Sequence, residues 1–176
     1  MTKLRGGLIQ MGLKASTDKD PETIRKAMIE AHIPLIEEAG EKGVQVLCFQ
    51  EVFTQPYFCP SQDTKWYDAA EAIPDGPTTK LMQDYAKKYE MVIVVPIYEA
   101  DEVTGVYYNT AAVIDATAPI LGNIARPISR RFPVFGKNSS SSPVHPIGRS
   151  LKPVIASWAF IFAMIAISPK AGGRWR

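Results

Sequence analysis

Acidic residues stop at Asp115. Residues 117–176 contain nine Lys or Arg and no Asp or Glu. Tyrosine, seven in all, stops at Tyr108. The near-neutral total of +2 therefore hides a first part at −7, with eleven basic and eighteen acidic residues, and a second at +9. A basic tail can mean contact with nucleic acid or membrane. Here Arg130-Arg131 is the one paired cluster and few aromatics interleave, so no nucleic-acid partner is expected. Cysteine is scarce as well. Cys48 and Cys59 are too few for a disulfide framework. Cys48 lies in an apolar run and reads as a small core residue, and Cys59, in a loop-like segment, reads as a free thiol. Neither has metal-ligand spacing with His32 or His145, so no metal site is expected. The longest apolar run, Val154–Ile167, has fourteen residues interrupted by Ser157. A membrane span needs roughly 20, so no membrane partner is expected. The N-terminus lacks a cationic-then-apolar leader, which makes a cytoplasmic, reducing location the expectation.

What is present reads as a globular α/β protein. The 176 residues are 46% hydrophobic and 22% charged, in the range of a single domain. Residues 4–13 suggest a first strand. Asp20 and Pro21 suit the N-cap and first position of a helix, whose apolar face carries Ile24, Met28 and Ala31. Pro34 should kink it, and Gly40 and Gly43 mark its end. Val44–Phe49 is a second, buried strand. Residues 54–76 read as loop, with a short helix near Thr64–Ala72. Pro77 opens a helix to about Tyr89, with Leu81 and Tyr85 on one face. Met91–Tyr98 and Val106–Asp115 are further strands around a turn at Asp101–Gly105. The order of elements implies a mixed sheet. From Thr117 to Pro153 no helical or strand period is sustained, and half the prolines, seven of fourteen, fall after residue 116. The organisation expected is a partial domain over 1–116 and an irregular tail over 117–176.

The second strand runs into a carboxylate, Glu51. Burying a charge beside a core strand is costly unless the charge is paired or used. Glu51 is therefore a candidate general base, and its plain alternative is a strand-end glutamate turned to solvent.

Phe49-Gln50-Glu51-Val52-Phe53 with Pro56-Tyr57-Phe58-Cys59 resembles the first catalytic motif of the nitrilase superfamily, and within it the β-ureidopropionase branch. Arg5-Gly6-Gly7-Leu8-Ile9-Gln10, His32-Ile33-Pro34-Leu35-Ile36 and Tyr107-Tyr108-Asn109-Thr110-Ala111 support this, and the resemblance runs from about Lys3 to Ala116. It implies the N-terminal part of an αββα four-layer sandwich. It also implies a cofactor-free hydrolase of small carbamoyl or amide substrates such as N-carbamoyl-β-alanine, in pyrimidine breakdown, forming homo-oligomers. A cysteine thiolate would attack the carbonyl carbon, a glutamate would move the proton, and a lysine would face the oxyanion. Glu51 takes the glutamate's place. Tyr57 and Phe58 could line the pocket or serve the core.

The lysine and cysteine motifs of that family do not occur in this chain. Both can be spelled in another reading frame. Thr117–Arg130 can be encoded by DNA whose shifted frame reads Asp-Gly-Thr-Tyr-Leu-Gly-Lys-Tyr-Arg-Lys-Thr-His-Ile-Pro. There the lysine codon straddles Ala125 and Arg126. Trp158–Gly173 can likewise be recoded as Gly-Val-Tyr-Ile-Cys-Tyr-Asp-Arg-His-Phe-Pro-Glu-Gly-Trp-Arg, with the cysteine codon across Phe162 and Ala163. One nucleotide lost in or near the Ala116 codon accounts for the charge jump, the missing tyrosines and the lost period together. The expectation is an inactive, truncated amidohydrolase. Two alternatives stand beside it. One is a non-catalytic protein that pairs with an intact homologue. The other is a tail-anchored membrane protein using Val154–Ile167, flanked by Lys152 and Arg174.

Overall fold

The computed structural model describes residues 3–58, 61, 63–101 and 105–127. Cys59, His145, the Val154–Ile167 run, the recoded cysteine segment 158–173 and the last three residues of the recoded lysine segment lie outside the described residues. Five strands form one sheet in the order β1-β2-β3-β4-β5: β1 Gly6–Ile9, β2 Val46–Phe49, β3 Val92–Ala100, β4 Tyr107–Ile114 and β5 Ile120–Pro127. β1, β2 and β3 are parallel, and β4 and β5 are antiparallel to their neighbours. The mixed sheet and the α/β class are those expected.

β1 is shorter than its sequence suggests. Among the described residues its only neighbour is the four-residue β2, and the register Gly6↔Val46 to Ile9↔Phe49 uses all of it. Beyond that point a side chain replaces a strand. The Met11 N–H donates to Gln50 Oε1 at 2.6 Å, and Gln50 Nε2 donates to the Met11 carbonyl at 2.8 Å. The amide of Gln50 thus pairs with the backbone as a peptide unit would.

Helix α1 spans Pro21–Glu41 and α2 spans Pro77–Tyr89. Asp20 caps α1 by accepting from the Thr23 N–H at 2.8 Å. The chain stays helical through Pro34. Gly40 does not end the helix as expected. It is helical, and a Cβ built there would lie 2.3 Å from the Tyr89 ring. Gly43, at φ +67, follows the C-cap Lys42 and supplies the left-handed residue. The loop helix is a short 3₁₀ segment, Thr64–Ala69, and the cap of α2 comes from further back. Glu71 accepts from the Thr78 N–H at 2.8 Å and from its hydroxyl at 2.6 Å. The Glu71 backbone is itself tied to β3 through Tyr98 and Ala100.

The central strands β2 and β3 are buried on both faces. Leu47, Ile93 and Ile114 lie in one register line and pack with Ile36 of α1 and Met82 of α2. Val46, Cys48, Val92, Val94 and Val113, of opposite parity, are 3% exposed or less. Uniform burial explains why β2 and β3 read as continuous apolar runs.

The expected absence of strand character after Thr117 is corrected by β5. A tight turn precedes it: the Ala118 N–H donates to the Asp115 carbonyl, and the Asp115 N–H to the Pro119 carbonyl. Ala118 takes φ +77, where hairpins ordinarily place Gly or Asn. Its alanine hid the hairpin. A register slip at Val113/Ile114 blurred the alternation as well.

Candidate active site

Glu51 stands just past the C-terminal end of β2, the side of a parallel sheet where ligand sites gather. Three features fix its backbone. The next residue, Val52, has φ +47, a conformation that a β-branched side chain rarely adopts. The Phe53 N–H donates to the Pro96 carbonyl of β3 at 3.2 Å, and the Gln55 N–H donates to the Val52 carbonyl at 2.9 Å. Val52 and Phe53 then bury their side chains in two different apolar clusters. Phe53 stacks on Phe49, with ring centroids 4.5 Å apart. The turn is therefore held open by packing on both sides of it.

The Glu51 carboxylate is half-buried. Asn109 of β4 donates from Nδ2 to Glu51 Oε1 at 2.6 Å. Asn109 is 4% exposed, and its Oδ1 accepts from no group among the described residues. Sequence reading missed this residue's role. It appeared only within a motif that supported the resemblance, with nothing in its type or position to mark it as the partner of a residue 58 positions away.

Thr110 follows Asn109 and faces the opposite side of the sheet. Its hydroxyl donates to Glu99 Oε2 of β3. Glu99 is 9% exposed. Burial pushes its carboxyl above the usual range, the Thr110 bond pulls it down, and Asp101 adds to the rise. This second buried carboxyl was also not singled out from sequence.

Cys48 cannot stand in for a nucleophile. Burial pushes its thiol up to about 12, and its Sγ–H donates to the Phe49 carbonyl at 3.4 Å. A neutral thiol is a poor nucleophile. His32 lies in an aromatic nest, edge-on to Phe49 and Phe53, with Nδ1 donating to the Met28 carbonyl at 2.7 Å. Among the described residues no group of three or more His, Cys, Asp or Glu could hold a metal. None of the helices there is long and apolar enough to cross a membrane.

The two candidate pocket residues part company. Phe58 packs into the core, with its ring 5.3 Å from Trp66 and 4.9 Å from Tyr98. Tyr57, next to it, is 70% exposed. A cavity of about 310 Å³ opens between the N-terminal ends of α1 and α2, lined by Glu22, Arg25, Gln55 and Glu71 among others. Glu51 is not in that lining.

A family model described as carbon-nitrogen hydrolase matches residues 8–143. The β-ureidopropionase of Arabidopsis thaliana is 38% identical over 120 residues, 68% of this chain and 29% of that protein. The N-carbamoylputrescine amidase of Solanum lycopersicum is 35% identical over 88 residues, 50% of this chain and 29% of its own length. The crystal structure of a carbon-nitrogen hydrolase from Helicobacter pylori G27 superposes with a TM-score of 0.58 at 25% identity, covering 70% of this chain and 39% of that one. This chain thus spans less than a third of both curated relatives. With a match over most of its length and a sheet that superposes on a solved member, the chain belongs to the carbon–nitrogen hydrolase family.

Proposed function

We propose that this chain is the base-bearing part of an amidohydrolase that cleaves N-carbamoyl amino acids of the N-carbamoyl-β-alanine type, and that by itself it is inactive. The observation that carries this reading is the carboxylate of Glu51, held by Asn109 at the end of β2. It is joined by the likeness to proteins named for acting on carbamoyl compounds. In the reaction Glu51 takes the thiol proton of the nucleophile and returns it to the leaving nitrogen. The nucleophile is not supplied by Cys48, which is a buried neutral thiol. Residues that act as a unit lose most of their effect together, so a glutamate alone gives little catalysis. Tyr57 remains the better placed of the two pocket candidates, by its exposure.

The reading includes one nucleotide lost in or near the Ala116 codon, after which the shifted frame spells the lysine motif across Ala125 and Arg126.

Sequencing of the DNA from the Ala116 codon onward tests this. A shifted frame that spells the lysine and cysteine motifs supports it, and their absence from every frame ends it. The frame-restored protein should release ammonia from N-carbamoyl-β-alanine, and the 176-residue chain should not. Hydrolysis by the chain as it stands would overturn the inactive reading.

A further inference from the structure

We infer that Asn109 is the positioning residue for Glu51, and that its carboxamide is oriented by that task and not by the packing of the core. The inference rests on the reading of Glu51 as a base and adds the group that aims it. Three observations converge. Asn109 Nδ2 donates to Glu51 Oε1 at 2.6 Å, a close contact between an amide donor and a carboxyl oxygen. The same side chain leaves Oδ1 buried and without a donor. A buried carbonyl that accepts nothing is unfavourable, and an apolar residue of the same shape would avoid the loss. Turning the amide over would set its carbonyl against the carboxylate, so the orientation observed serves Glu51 at the expense of Oδ1. Finally, the strained turn at Val52 fixes the backbone next to Glu51, which leaves the side-chain torsions as its remaining freedom. Asn109 removes that freedom.

Geometry of this kind matters to a base. Proton transfer depends on placing one particular oxygen within hydrogen-bond reach of the donor. With Oε1 engaged by an amide, the rotation of the carboxylate is restricted. Asn109 touches no reacting atom in this arrangement; it acts through Glu51.

The test uses the full 176-residue chain, labelled with ¹⁵N and titrated with acid by NMR. The side-chain amide pair of Asn109 is expected to be widely split, with the proton bonded to Glu51 far downfield. That signal should move as the Glu51 carboxyl takes up a proton. In Glu51→Gln the amide should stop following pH. An Asn109 amide pair that stays unsplit and unmoved across the titration in the wild-type chain overturns the inference, whatever the variants do. The experiment reads the bond and not the reaction, so its failure is separate from failure of the hydrolase reading, which falls on the DNA sequence.

Discussion

The hydroxyl of Thr110 donates to the carboxyl of Glu99 across the β3–β4 ladder, in a position where both side chains are buried. The neighbouring residue, Asn109, serves Glu51 on the other face. Two consecutive residues of one strand thus hold two carboxyl groups on opposite sides of the sheet.

Glu99 gives a pH-dependent contribution to stability. Its carboxyl is raised in the folded chain above the ordinary value of 4.5, so the native state holds its proton to higher pH than the unfolded state does. The stabilisation is complete below that value and is lost as pH rises through the raised one. Asp101 faces the same region, while the buried Glu71 meets Glu99 through its backbone and turns its carboxyl to Thr78. Glu99→Gln should raise the melting temperature at pH 7.5 and flatten its decline from pH 4.5 upward. Thr110→Val, which removes the bond that favours the charged form, should steepen the decline. Equal pH slopes in all three proteins would count against this.

His32 acts with the opposite sign. Burial holds its imidazole below the usual 6.5, against the Met28 bond that raises it. The contribution is present above 6.5 and is lost as pH falls below it, because the unfolded chain takes up the proton first. A variant His32→Leu should lose the acid-side fall in melting temperature between pH 6.5 and 5. Thermal melts at half-unit intervals would separate this limb from that of Glu99.

Gly40 has no room for a methyl group. Its Cβ would fall 2.3 Å from the Tyr89 ring, where α1 and α2 meet. Gly40→Ala ordinarily favours a helix, yet here it should destabilise by about 1–3 kcal/mol through overpacking. Tyr89→Leu in the same chain should recover most of the loss. A urea denaturation cycle over the four proteins measures the coupling.

Glu90 ends α2 in the left-handed region, at φ +50 and ψ +39. That conformation costs an L-residue roughly 1 kcal/mol that glycine does not spend. Glu90→Gly should therefore stabilise the chain by about 0.5–1 kcal/mol. A fall in the denaturation midpoint would show that the Glu90 side chain does more than close the helix.

Strong local signals made much of the fold legible. Asp20-Pro21 and Pro77 mark the helix starts because capping and the missing proline N–H are properties of single residues. Val46–Phe49 and Val92–Tyr98 were visible because burial on both faces leaves unbroken apolar runs. What stayed hidden depends on partners far away in sequence. β1 stops where β2 stops, β5 is recruited through a turn with alanine in the left-handed position, and Gly40 is explained only by Tyr89. At the candidate site the strand-end place of Glu51 could be read. Asn109 and Gln50 could not, because a side-chain amide announces neither the carboxylate nor the backbone it will bind.

The Asn109–Glu51 contact has both its ends within the first 109 residues of the chain. Synthesis proceeds from the N-terminus, and segments fold as they become available. The strands that carry this pair, and β3 between them, are all made before β5 leaves the ribosome. Any change downstream of Asn109 therefore leaves the carboxyl group and its amide partner already encoded.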